Sequence, residues 1–338
     1  EAAAAKPIRL PEPTAEAAVN VGPRIVVCQP NRIHDPSGRS PRVSAVQRCL
    51  ELLDQAYDAG GDLIVWPEAV ISRFGREIPV IDGAADRFTD VEAMRTLVQH
   101  YAWGHALGKP PEYPPDPAFP SATQQPERWP VLVLGTAFTT DIPHPVLSKA
   151  TYDRGSAFVL GPTGDIRTRY HKQQLVPMGE YVPYLEWGFV AELVQQGFAA
   201  QGLAANYLPV CKPGEGPVHA VLDLHADAPW SATPANPFAP GDGTYRFAMP
   251  ICYELAFPQT VRELVAGPPG SGRAADFLLN LSDESWYQQS AELVQMLNMG
   301  VLRAIENRRG IVRATNTGVS CFIGPNGMLH SVLVDERG

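Results

Sequence analysis

The sequence predicts an α/β fold built on mixed β-sheet, and three observations carry that expectation. Apolar runs alternate with helically spaced segments through the first half, as strands joined by crossover helices do. Runs such as Leu63-Ile64-Val65-Trp66 and Val131-Leu132-Val133-Leu134 are apolar at every position, the pattern of strands buried on both faces. Further along, paired runs are separated by Gly/Pro/Asn turns and read as hairpins.

The elements follow in order. Residues 1–22 are rich in Ala, Pro and Glu and read as a peripheral or linker segment, opening on the helix-linker-like Glu1-Ala2-Ala3-Ala4-Ala5-Lys6. Arg24 to Gln29 is a short strand. Val43 to Tyr57 has helical spacing (Val43, Val46, Leu50, Leu53) and is closed by Gly60-Gly61. Asp62 to Trp66 is a strand, Asp90 to Ala106 a helix, and Val131 to Gly135 a second buried strand. Ser156 to Leu160 and Ile166 to Tyr170 form a hairpin around Gly161-Pro162-Thr163-Gly164. Phe247 to Cys252 is a strand, Phe257 to Val265 a helix, and Asp276 to Asn280 a strand. Ser290 to Arg309 is a long helix with Leu293, Leu297, Val301 and Ile305 on one face. Strands at Ile311 to Ala314, Ser320 to Ile323 and His330 to Val334 finish the chain, the last after the turn Pro325-Asn326-Gly327. Lys109–Pro130 and Ala226–Gly243, both crowded with Pro, read as loop insertions into one domain over 23–338.

Composition excludes several classes. At 338 residues, with 45% hydrophobic and 19% charged side chains, the chain is ordinary for a globular protein. A formal net charge of -9 without a Lys/Arg run excludes a general nucleic-acid binder. The five Cys are scattered and form no CxxC, so neither a disulfide framework nor a zinc site is indicated. No stretch approaches the ~20 apolar residues that span a bilayer.

Three residues stand out because each ends an apolar run. Leu63-Ile64-Val65-Trp66-Pro67 delivers Glu68, the hairpin ending in Arg169-Tyr170-His171 delivers Lys172, and Phe247 to Ile251 delivers Cys252. Taken singly, each has a structural explanation: a buried thiol, a capping carboxylate, a surface ammonium. Together they supply a nucleophile, a base and a cation, the parts of thiol-based acyl transfer. A Cys attacks as thiolate and needs a proton acceptor. A buried carboxylate such as Glu68 has its pKa raised towards useful base strength. Lys172 and the backbone amide of Tyr253 are candidates to hold the oxyanion. His171 reads as a strand-end polar residue, not as the base.

The strings around these residues carry a resemblance. Leu63 to Ala69, Tyr170-His171-Lys172-Gln173-Gln174-Leu175-Val176-Pro177-Met178-Gly179-Glu180-Tyr181-Val182-Pro183 and Ile251-Cys252-Tyr253-Glu254-Leu255-Ala256-Phe257-Pro258 resemble the nitrilase (carbon–nitrogen hydrolase) superfamily. Asn280 to Tyr287 and Arg313-Ala314-Thr315-Asn316-Thr317-Gly318-Val319 extend the likeness. The long Lys172 string is most similar to the apolipoprotein N-acyltransferase branch. The resemblance implies an α-β-β-α sandwich with mixed sheets flanked by helices, and a Glu68–Lys172–Cys252 triad. It implies that Glu180 supports the triad by bonding Lys172 or the attacking amine, that Glu254 supports the nucleophile loop, and that Trp286 and Tyr287 wall the site. No cofactor is implied.

By the same resemblance the acyl donor is a glycerophospholipid and the acceptor a lipoprotein N-terminal diacylglyceryl-cysteine. The place is the periplasmic face of the bacterial inner membrane, with a membrane surface as partner. Members of that branch carry transmembrane helices before this domain and continue beyond its last hairpin. The expectation is therefore either an excised domain, short at its C-terminus, or a soluble relative. The soluble alternative is a cytoplasmic amidase or nitrilase-type hydrolase of a small carboxamide. A catalytically inert binding module is the third reading, and the intact Glu68, Lys172 and Cys252 speak against it. The segments Tyr184 to Val190 and Phe198 to Leu208 supply apolar residues either for a lipid-facing lid or for a core-packed helix.

Overall fold

Two mixed β-sheets face one another across a shared core. The computed structural model describes residues 23–31, 52, 55–56, 59–68, 130–144, 151–161, 166–200, 210–224, 243–287 and 290–333. The first sheet has the order β1 (Ile25–Val27), β2 (Leu63–Val65), β3 (Val131–Pro143), β4 (Thr151–Leu160), β5 (Ile166–His171). Its first three strands run parallel and the last two join antiparallel. The second sheet runs β11 (Leu329–Leu333), β10 (Ser320–Ile323), β9 (Gly310–Thr315), β8 (Phe277–Ser282), β7 (Thr244–Ala248), β6 (Ala220–Asp223). Here β7, β8 and β9 are the parallel set, flanked by antiparallel β6 on one side and β10–β11 on the other.

The shared core follows from alternation along each strand. Leu63 and Val65 of β2, Val131 and Val133 of β3, and Ala157 and Val159 of β4 pack with Phe247, Leu279, Ile311 and Ala314 of the second sheet. Ile64, Leu132, Leu134, Phe158 and Leu160, one residue out of phase, are also buried. Both faces of β2 and of the start of β3 are thus covered, which explains their unbroken apolar runs. Helices α2 (Pro258–Ala266) and α3 (Glu292–Asn307) cover the outside of the second sheet. Proline at the first position of α2 has no amide to leave unpaired there. A further helix, α1 (Gly188–Ala200), follows the Lys172 string.

Several sequence expectations are corrected. β3 runs on to Pro143 and β4 begins at Thr151, because their outer halves pair with each other through polar residues such as Thr136 with Ser156. Such an arm shows no apolar run. β6 was not foreseen: only Ala220 and Leu222 of its four residues point inward. The strand expected to reach Cys252 ends at Ala248. Pro250 lacks the amide a ladder needs, and its carbonyl instead accepts from Leu281 N–H (3.2 Å) and Asn280 Nδ2 (3.1 Å). In the segment Tyr184 to Val190 Leu185 is buried and packs with Val182 and Ala191 in a small core cluster, while Tyr184, Trp187 and Phe189 are exposed. The expected segments 1–22, 90–106, 109–129 and 225–242, most of 43–57, and the side chains of 198–208 lie outside the described residues.

Candidate active site

Glu68 is placed by the loop that leaves β2. Trp66 N–H still bonds Val133 C=O (2.8 Å), and Gly135 N–H reaches Pro67 C=O (3.3 Å). Gly135 is a requirement here: a Cβ on it would stand 2.6 Å from Glu68 Cα, so β3 approaches the loop only without a side chain. Glu68 Oε1 lies 3.2 Å from Lys172 Nζ, and its Oε2 accepts from Asp283 N–H at 3.1 Å. The first sheet supplies the carboxylate and the loop after β8 of the second sheet aims it.

Lys172 leaves β5 with its N–H on Gly155 C=O (2.8 Å) and its stem against Gly155. The ammonium is buried between two carboxylates, Glu68 and Glu180, the latter at 2.6 Å. Glu180 is fixed in turn by Val176 N–H on its Oε2 (2.8 Å). Burial pulls the Lys172 pKa down, but the charges of Glu68, Cys252 and Glu180 outweigh it and hold the pKa well above its usual value. Lys172 is a permanent cation here.

Cys252 opens a 3-10 turn, Cys252–Ala256, with φ at 47°, a left-handed conformation that costs a non-glycine residue ~1 kcal/mol or more. The thiol is buried and pushed up to about 12, first by burial and then by Glu68, while Lys172 and a hydrogen bond with Ser282 pull the other way. At neutral pH it is a thiol. Glu68 is pushed up to about 7, by burial first, against the pull of Lys172. The cluster of one cation and two carboxylates already carries a net negative charge. Proton transfer from Cys252 to Glu68 would leave the net charge of the cluster unchanged, whereas a free thiolate would add to it.

Glu254 is fully buried and takes four donors: Tyr170 Oη (2.7 Å), Gln173 N–H (2.6 Å), Gln174 N–H (3.3 Å) and Ile251 N–H (2.7 Å). Burial raises its carboxyl, and the hydrogen bonds from Ile251, Tyr170 and Gln173 oppose that. One side chain ties the loop bearing Lys172 to the turn bearing Cys252.

Tyr253 follows the thiol in the turn, and its ring packs edge-on against Phe257 (5.2 Å). Trp286 and Tyr287 lie in the short turn Ser285–Tyr287 after β8. The Tyr287 ring is partly exposed and its hydroxyl is raised by burial, then by the charge of Cys252, whereas the Trp286 side chain lies outside the described residues. His171 does not join the cluster; its Nδ1 lies 2.7 Å from Ser156 Oγ, and burial with Arg154 and Arg169 pushes it down to about 4.

Sequence reasoning missed a buried layer behind the thiol. Ser282 Oγ donates to Glu284 Oε1 (3.2 Å), Glu284 pairs with Arg313, and Arg313 Nη1 donates to Asn280 Oδ1 (2.8 Å). Glu284 and Arg313 are both fully enclosed. The only signal was polar residues inside the apolar strands β8 and β9. Among the described residues no group of three His, Cys, Asp or Glu side chains is placed to hold a metal ion. A cavity of about 390 Å³ lies beside the Lys172 loop, lined by Gln173, Leu175, Tyr181, Leu185, Cys211 and Lys212, but neither Cys252, Glu68 nor Lys172 lines it.

Comparison with known proteins agrees with this architecture. The sequence is 32% identical over 169 residues to apolipoprotein N-acyltransferase 2 of Treponema pallidum (strain Nichols), covering 50% of this chain and 25% of that one. It is 26% identical over 268 residues to the apolipoprotein N-acyltransferase of Pseudomonas putida, covering 79% and 37%. The matched parts thus span from a quarter to somewhat over a third of these relatives' length. Among solved structures, a cysteine-to-alanine variant of the nitrilase-superfamily amidase of Nesterenkonia AN1 superposes with a TM-score of 0.51 at 18% identity, over 94% of this chain and 90% of that one. That likeness establishes the nitrilase-type sandwich. The carbon-nitrogen hydrolase family model matches residues 27–337, from β1 past the last strand, and the chain belongs to that family of enzymes.

Proposed function

We propose that this chain is the catalytic domain of a phospholipid-dependent N-acyltransferase. It moves a fatty acyl chain from a glycerophospholipid to Cys252, and from there to the α-amine of a lipoprotein N-terminal S-diacylglyceryl-cysteine. The observation that carries the reading is the geometry around Lys172, whose ammonium lies 3.2 Å from Glu68 and 2.6 Å from Glu180 while Glu254 ties its loop to the turn bearing Cys252. The apolipoprotein N-acyltransferases among its relatives supply the substrate class.

In the first half-reaction Glu68 takes the Cys252 proton as sulfur attacks the ester carbonyl. Lys172 and the Tyr253 amide hold the oxyanion, which is where such donors contribute most. Glu68 then returns the proton to the departing lysophospholipid oxygen, leaving a thioester. In the second half the acceptor amine attacks, Glu68 takes a proton from nitrogen, and sulfur leaves with it as the thiol. Glu180 and Glu254 act by position, fixing Lys172 and the Cys252 turn.

The segment after the Lys172 string supports a membrane surface as partner. Tyr184, Trp187 and Phe189 are 63%, 55% and 68% exposed and lie ring against ring at 4.9 and 5.9 Å. Exposed aromatic clusters of this kind suit the bilayer interface. Among the described residues no helix is long and apolar enough to cross a membrane. Hydrolysis of a small carboxamide would use the same three residues, with water as acceptor; the amidase neighbours, at 18% identity or less, speak to fold alone.

The test is intact-protein mass spectrometry after incubation with phosphatidylethanolamine and phosphatidylglycerol vesicles. The reading expects a gain of one fatty acyl group, reversed by hydroxylamine and absent in Cys252→Ala. No adduct on protein that hydrolyses a small amide would overturn it.

A further inference from the structure

The end of β8 touches both the candidate base and the candidate nucleophile. Leu281 forms a parallel bridge with Ile251, and its N–H donates to Pro250 C=O at 3.2 Å. Asn280 Nδ2 clamps the same carbonyl at 3.1 Å. The next residue on one side of that bridge is Ser282 and on the other Cys252. One residue further, Asp283 N–H holds Glu68 Oε2 at 3.1 Å. Ser282 has a single hydroxyl hydrogen for two acceptors: Glu284 Oε1 at 3.2 Å, and the sulfur of Cys252, to which it is also hydrogen-bonded.

The groups on the two sides of this hydroxyl differ in charge. On the sulfur side stand two carboxylates, Glu68 and Glu180, and one cation, Lys172, which both of them hold. Negative charge arriving on sulfur finds no neutral donor among those three. On the far side Glu284 is paired with Arg313, whose Nη1 bonds Asn280 Oδ1 (2.8 Å) and whose Nε bonds Val319 C=O (3.1 Å). Ser282, Glu284, Arg313 and Asn280 are all buried. Among the described residues Glu284 Oε2 has no donor, so its hydrogen bonds come from Arg313 and Ser282, both on Oε1. A buried ion pair is no cheaper than an apolar layer of the same size, so stability alone does not account for this one.

We propose that Ser282 is a hydrogen-bond switch for Cys252: its hydroxyl donates to Glu284 while the sulfur is a thiol, and turns to donate to the sulfur as that atom becomes negative, with Glu284 and Arg313 as positioning residues. This rests on Cys252 as the nucleophile of the acyl-transfer reading, but not on that reading's substrates. Ser282 keeps its proton throughout. The Cys252 proton goes to Glu68, and only the direction of the Ser282 O–H changes. Arg313 already neutralises Glu284, so the carboxylate stays paired after the turn, and the hydrogen follows the charge on sulfur. The same donor meets the sulfur again when the C–S bond breaks in the second half-reaction.

A purely structural network would affect stability, and every disruption of it would move reactivity the same way. The experiment is alkylation of Cys252 by iodoacetamide in the full-length protein, without lipid or acceptor, followed by peptide mass mapping between pH 7 and 9. Ser282→Ala is expected to slow alkylation about tenfold or more, the loss of one hydrogen bond to a charged atom. Glu284→Gln keeps the shape, and its amide NH₂ can take the Oε2 position, which has no donor to oppose it. By removing the competing negative charge it is expected to speed alkylation about threefold or more. Both variants should lower Tm, since both disturb an enclosed pair. Ser282→Thr, with the hydroxyl kept, should react faster than Ser282→Ala. Unchanged alkylation in Ser282→Ala, or slowing in both Ser282→Ala and Glu284→Gln, overturns the switch. The expected rates in a protein that forms no thioester with phospholipid would support the switch and count against the proposed substrates alone. A wild-type Cys252 no more reactive than the buried Cys28 and Cys321 removes the nucleophile itself, and the switch with it.

Discussion

The Glu254 carboxylate lies 2.6 Å from the Gln173 backbone nitrogen, so the turn that holds the candidate nucleophile and the loop that holds the candidate cation share one buried acceptor. Glu254→Gln removes the charge and sets an amide NH₂ against donors that are themselves N–H groups. Losing charged hydrogen bonds in an enclosed site costs about 1.5–3 kcal/mol for one of them alone. Denaturant unfolding should show a loss of at least that size, and acyl-enzyme formation should fall with it, because Lys172 and Cys252 lose their common anchor.

The proposed role of Glu68 as base predicts a pH dependence. As a base it works deprotonated, and its carboxyl is raised to about 7 by burial. Acyl-enzyme formation should therefore decline as pH falls through about 7, and rise to a plateau above it. A Glu68→Gln variant should stay folded yet form no thioester at any pH. A stopped-time mass assay across pH 5 to 9 decides: an unchanged acid limb in a partly active Glu68→Gln would assign that limb to another group.

Gly135 is predicted to be intolerant of any side chain. The added methyl of Gly135→Ala would press on the Glu68 backbone at 2.6 Å, and overpacking of that kind costs ~1–3 kcal/mol. Activity should drop more steeply than thermal stability, because the displaced atoms carry the base. A variant with wild-type Tm and wild-type turnover would show that the loop yields without cost.

The Arg313–Glu284 pair is fully enclosed, and burial lowers Arg313 to about 10. Arg313→Met strands a buried carboxylate and should cost ~3–5 kcal/mol. Adding Glu284→Leu should restore part of that loss, because replacing both charges with apolar groups is far cheaper than removing one. A double-mutant cycle by urea unfolding reads the difference directly.

Much of this was legible in the sequence, for identifiable reasons. β2, β8 and β9 show as apolar runs because both their faces are covered. Glu68, Lys172 and Cys252 draw notice because each interrupts or follows such a run. β6 stayed hidden because two inward residues make no pattern, and the end of β7 was misplaced because apolarity continues through Met249-Pro250-Ile251 while the ladder stops. The bond from Lys172 to Glu68 joins residues 104 apart and that from Asp283 to Glu68 residues 215 apart. Such contacts depend on how one sheet registers against the other, which no local spacing encodes. Gly135 is invisible for the same reason: it matters for the atom that approaches it.

The carboxylate that leaves β2 is aimed by the amide of Asp283, beyond the end of β8, and the thiol follows β7, so the chemistry straddles the gap between the two sheets. Neither sheet alone carries both Glu68 and Cys252. On the proposed mechanism, a chain that has completed only one sheet is silent whatever its local order, and acylation of Cys252 waits until the two sheets have met in register. On that mechanism thioester formation reads out assembly of the two sheets as well as chemistry.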